Sequence, residues 1–96
     1  MHFIITCTDK QGSGDVRAAN RTAHLAYLES FGDKIFAAGP TLTDDGSAMT
    51  GSVLIVEFDD RAGAERFSAD DPYAKAGLFE SVTIRPWRKV LPKSPA

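Results

Sequence analysis

Apolar and polar positions alternate at the start of the chain. From His2 to Thr8, Phe3, Ile5 and Cys7 fall on one side of an extended segment, and His2, Ile4 and Thr6 on the other, which predicts a strand. Gln11-Gly12-Ser13-Gly14-Asp15 is a loop by composition, and Asp15 is placed to cap a helix over about Val16–Phe31 that Gly32 ends. Lys34–Ala38 reads as a second strand, ended by Gly39-Pro40, and Thr43-Asp44-Asp45-Gly46-Ser47 as a turn. Ser52–Phe58 is a third strand with Val53, Leu54, Ile55 and Val56 in unbroken succession. A short helix follows Asp59-Asp60 and runs to about Phe67. Asp70-Asp71-Pro72 opens another helical turn that Gly77 closes. Glu80–Val90 is the last strand, and Pro86 within it marks an edge or a bulge.

The order β-α-β-β-α-β defines an α+β, ferredoxin-like fold: a four-stranded antiparallel sheet with helices on one face. The third strand carries an expectation of its own. A sheet wet on one side shows polar residues at alternate positions, and this strand shows apolar ones on both faces. The second face therefore needs a cover, and a second copy of the sheet is the simplest. The sequence predicts a homodimer. Residues 1–91 form one domain, and Pro92 and Pro95 make 92–96 a tail without regular structure.

Composition narrows the function classes. The chain has 96 residues and a formal net charge of −2, so no global basic field draws nucleic acid. Arg85, Arg88, Lys89 and Lys93 flank Trp87, but these few charges read as a solvated strand face. One Cys excludes an internal disulfide, and nothing has the spacing of a zinc site or calls for a cofactor. No apolar run approaches the ~20 residues of a membrane span, and the first residues lack the pattern of a secretory signal. The expectation is a cytoplasmic protein.

Chemistry concentrates on the first helix. On a helical wheel Val16, Asn20, Tyr27, Leu28 and Phe31 share one side with His24 near its middle. Arg17 lies close by, Arg21 sits at the rim, and Leu25 falls on the outer side. An inward imidazole is either a hydrogen-bonded core residue or an acid/base group. Asp71 before Pro72 is a helix cap, and it could also accept from a histidine ring N–H. Thr50-Gly51-Ser52 offers close backbone approach and a hydroxyl, and Cys7 reads as a buried, unreactive thiol.

Five segments, in order, resemble the YciI-like family: Arg21-Thr22-Ala23-His24-Leu25, Ala38-Gly39-Pro40, Thr50-Gly51-Ser52 with the strand after it, Asp71-Pro72-Tyr73-Ala74-Lys75-Ala76-Gly77-Leu78-Phe79, and Ile84-Arg85-Pro86-Trp87. The resemblance implies a dimeric α+β barrel and an active site built around His24 and Asp71. It also implies chemistry on small aromatic-derived or lactone-like rings, since some relatives eliminate chloride from chlorinated hydroxyquinols. On that reading His24 shuttles a proton, Asp71 fixes its tautomer, Arg21 neutralises an anionic intermediate, and Ser52 holds a substrate oxygen. Gly39, Pro40 and Tyr73 complete the substrate contacts, with walls from Ile4, Phe36, Tyr27 and Phe79. The alternative is a non-catalytic dimeric module that binds a small ligand or supports a partner, with His24 and Asp71 as a structural pair.

Overall fold

The computed structural model describes residues 1–93; the end of the expected tail lies outside them. Four strands, β1 (His2–Asp9), β2 (Ile35–Leu42), β3 (Met49–Glu57) and β4 (Phe79–Trp87), form one antiparallel sheet in the order β2-β3-β1-β4. Helix α1 (Gly14–Glu29) joins β1 to β2, and α2 (Arg61–Asp70) and α3 (Pro72–Lys75) join β3 to β4. This is the ferredoxin-like arrangement.

The pairing register shows why the pattern folds this way. Phe3, Ile5 and Cys7 lie opposite Val56, Leu54 and Ser52 on β3, and opposite Pro86, Ile84 and Val82 on β4. This row faces the helices and supplies much of the buried core. At one end of the core Tyr27, Phe31, Phe58 and Phe67 pack ring against ring, and the Tyr27 hydroxyl donates to the Phe67 carbonyl at 2.8 Å. That cluster ties α1 to α2. On the opposite face of the sheet Ile4, Val53 and Ile55 are half-buried and Phe36 is exposed. His2, Phe36 and Trp87 gather at one corner of that face with ring centroids 5.6–6.0 Å apart.

Two local expectations are corrected. Strand β2 does not stop at Gly39-Pro40; it runs on to Leu42, with Pro40 opposite Ser52. It is an edge strand, so a proline without an N–H costs no ladder bond on its open side. Helix α1 starts at Gly14, with Ser13 at the cap position and no side-chain cap; Asp15 sits in the first turn, where a negative charge suits the helix dipole. The Leu25 side chain is exposed, as expected, and also borders the cavity described below.

The junction of α2 and α3 matters most for the site. Pro72 disfavours a helical backbone at the residue before it. Asp71 accordingly adopts φ −59° and ψ 130°, ending α2 and capping α3. Its carboxylate accepts from the Tyr73 N–H at 2.9 Å. Gly77, at φ 74°, terminates this turn and lets Leu78 bury completely.

Candidate active site

Among the described residues four polar or charged side chains are buried: Arg17, His24, Ser52 and Asp71. They come from α1, β3 and the α2–α3 junction, and they converge on one place. Buried polar groups persist only where they are paired, and each of these is.

His24 Nδ1 lies 2.8 and 3.0 Å from the two carboxylate oxygens of Asp71. A carboxylate that already accepts a backbone N–H has only acceptor capacity to offer, so the ring donates through Nδ1. In the neutral imidazole Nε2 is then the free base. Nε2 has no protein partner among the described residues, yet no buried side-chain nitrogen or oxygen there lacks one. It is therefore open to the space that His24 borders. The Tyr73 ring stacks on the imidazole with centroids 3.9 Å apart and planes 13° apart, which fixes the ring's rotation.

Arg17, one face and two turns back along α1, forms a second node. Its Nε and Nη2 grip the two oxygens of Asp9 at 2.8 and 2.9 Å. Nη2 also reaches the Gly51 carbonyl at 2.9 Å and Ser52 Oγ at 3.0 Å, and the guanidinium lies 4.7 Å from the centre of the Tyr73 ring. The Asp9 contact, before all else, holds the Arg17 guanidinium more firmly protonated than usual. Gly51 is obligatory here. A Cβ at that position would overlap the Cys7 carbonyl oxygen and crowd Thr41 Oγ1. Beneath the site the Cys7 thiol is pushed up to about 12 by burial and then by the nearby Asp71 and Asp9 charges.

These groups border a cavity of about 140 Å³. A site of roughly 150 Å³ holds one benzene-sized ring. His24, Arg17, Ser52 and Tyr73 supply the polar rim, and Leu25, Leu28, Leu54, Ala38 and Met49 the apolar walls. Gly39 and Pro40 line it from β2, and Arg21 stands exposed at its border with no side-chain partner among the described residues. Asp71 lies behind His24. The structure thus gathers His24, Asp71, Arg21, Ser52, Gly39, Pro40 and Tyr73 in one region. The expected walls are different. Ile4 and Phe36 sit on the far face of the sheet, Tyr27 is committed to the aromatic cluster, and Phe79 packs edge-on against Tyr73. No group of three His, Cys, Asp or Glu side chains is arranged to hold a metal ion among the described residues.

Two residues of the site were missed in the sequence reading, Asp9 altogether and Arg17 as a functional group. Both signals were present. Asp9 continues the Phe3-Ile5-Cys7 alternation by one more step, and Arg17 precedes His24 by two helical turns.

Residues 1–88 match the YCII-related domain. This chain belongs to the YCII-related family. It is 37% identical to Protein YciI of Escherichia coli over 94% of this chain and 99% of that protein. It is 31% identical, over the same shares, to an uncharacterized protein of Haemophilus influenzae. Among solved structures it resembles the 5-chloro-2-hydroxyhydroquinone dehydrochlorinase TftG of Burkholderia phenoliruptrix, in complex with 2,5-dihydroxybenzoquinone. That likeness has 42% identity and a TM-score of 0.85, and covers 92% of this chain and 94% of TftG. A Pseudomonas aeruginosa protein, PA3566, shares the fold at 15% identity and a TM-score of 0.54, over 93% of this chain and 92% of that one. Within the YCII-related fold, no described helix is long and apolar enough to cross a membrane.

Proposed function

We propose that this YCII-related chain is an acid/base catalyst that eliminates a leaving group from, or isomerises, a small hydroxylated ring. One observation carries the reading: His24 is anchored through Nδ1 to the buried Asp71 and turns Nε2 to a ring-sized cavity. The dehydrochlorination performed by TftG, at 42% identity, supports the choice of substrate class.

In the elimination, Nε2 takes a ring hydroxyl proton and returns it to the carbon that bears the leaving group. It then takes a second hydroxyl proton as the leaving group departs with its bonding pair. Two hydroxyls become two carbonyls and one equivalent of acid is released, with no oxidant consumed. Asp71 keeps the ring in the tautomer this requires. Arg21, exposed at the cavity border, offsets negative charge that develops on the substrate. A positioned acid/base group contributes about 10²–10⁴-fold in rate, which suits a ring already activated by its hydroxyls.

The reading includes a second copy of the chain. Ile4, Val53 and Ile55 are only half-buried on the outer face of the sheet, and face-to-face packing of two sheets would complete their burial.

The test is chloride release from a chlorinated hydroxyhydroquinone, with His24→Ala as the control. Wild type should turn over, and the variant should lose about 10²–10⁴-fold with its circular dichroism unchanged. Equal activity of the two proteins would overturn the reading. An inactive wild type whose His24→Ala variant loses several kcal/mol of stability would favour the structural-pair alternative.

A further inference from the structure

We infer that Arg17 is a positioning residue. It fixes the Ser52 hydroxyl as a one-way donor, and with it forms an oxyanion site in the cavity that His24 also borders, which selects rings bearing a negatively charged oxygen. The inference rests on the proposed function, because it assigns further residues of the same cavity.

Three observations lead there. First, Ser52 Oγ accepts from Arg17 Nη2 at 3.0 Å, and a guanidinium has no acceptor. The serine proton cannot point back at Arg17. Second, Ser52 is 3% exposed, its hydroxyl donates to no described protein group, and it lines the cavity. The remaining direction for its proton is a ligand. Third, Arg17 cannot swing away. Asp9 holds it by two bonds, the Gly51 carbonyl by a third, and the Tyr73 ring lies against it. A hydroxyl polarised by a cation behind it is a stronger donor than a free one.

The complementary ligand follows from the two groups that line the cavity. Nε2 of His24 receives a proton, and Ser52 gives a hydrogen bond to the oxygen on which charge accumulates. A phenolate or enolate oxygen fits the second role, and an ether oxygen fits it poorly.

The experiment is a binding comparison by calorimetry. The two probes are 2,5-dihydroxybenzoquinone, which is ionised near neutral pH, and its dimethyl ether, which cannot ionise. Wild type should prefer the anion. Ser52→Ala should cut that preference by about 10- to 100-fold, the range expected for a hydrogen bond to a charged group. Arg17→Lys keeps the charge but loses the fork, and should cut it by a similar factor. The double variant should be no worse than the worse single variant, because Arg17 acts through Ser52. Losses that multiply in the double variant overturn the inference, as does equal binding of anion and ether, or binding of neither, by wild type. Should Arg17→Lys fail to fold, an unchanged preference in Ser52→Ala overturns it alone. The outcome stays separate from that of the proposed function: selective binding without chloride release sinks the reaction and leaves the oxyanion site, and chloride release without selectivity does the reverse.

Discussion

Asp71 serves two partners with one carboxylate: it caps α3 through the Tyr73 N–H and orients His24 through Nδ1. The two roles separate by substitution. Asparagine also caps helices, so Asp71→Asn should change stability by no more than ~1 kcal/mol in urea denaturation. Its amide can donate to Nδ1, which leaves the proton on Nε2 and removes the base. Turnover should fall about 10²–10⁴-fold. A fully active Asp71→Asn would show that the imidazole does not need its carboxylate. Cys7 behaves in the opposite way. Its thiol is 3% exposed and pushed up to about 12, so Ellman's reagent near pH 8 should leave the native protein untouched and react fully after unfolding. Gly51→Ala forces a Cβ onto the Cys7 carbonyl, and overpacking of this kind costs typically ~1–3 kcal/mol.

Elements carry the legible part of the fold. Alternation at Phe3, Ile5 and Cys7, and the apolar run Val53–Val56, identify strands because a pleat exposes side chains at period two. Their ends were less legible. Gly39-Pro40 reads as a stop on local chemistry, and only the position of β2 at the sheet edge makes it tolerable inside a strand. The capping residues can be tested. Asp60 accepts from the Gly63 N–H at 2.9 Å and caps α2, so Asp60→Ala should lower stability by ~0.5–2 kcal/mol in chemical denaturation. Ser13 makes no side-chain cap on α1, so Ser13→Ala should leave stability within ~0.5 kcal/mol. A large loss at Ser13 with none at Asp60 would contradict this assignment of helix ends.

Two properties belong to the molecule as a whole. Replacing Ile55 by Glu places a charge at the centre of the proposed sheet-to-sheet contact. Sedimentation should show a dimer for wild type and a monomer for this variant, and a wild type that is monomeric at micromolar concentration removes the dimer from the reading. Alkaline stability is the second. Burial first, and neighbouring carboxylates after it, push both the Cys7 thiol and the Tyr27 hydroxyl up to about 12. A raised value means that the folded chain holds its proton more tightly than the unfolded chain. The resulting stability is complete below the ordinary value of each group and is lost as pH rises through about 12. Urea midpoints measured across that window should fall with pH, and Cys7→Ala should fall less steeply than wild type.

Local pattern by itself determined the element order, the inward row of the sheet and the inward placement of His24, because periodicity and turn chemistry act over a few residues. It also exposed Asp71 as a cap, since Asp before Pro has one local meaning. Only the tertiary structure decided that Asp71 reaches a histidine 47 positions away, that Asp9 grips Arg17, and that the cavity is walled by Leu25, Leu54 and Met49. Those facts depend on how α1 lies across the sheet and on where the α2–α3 junction lands. Both are set by the summed packing of the core, which no single stretch of sequence records.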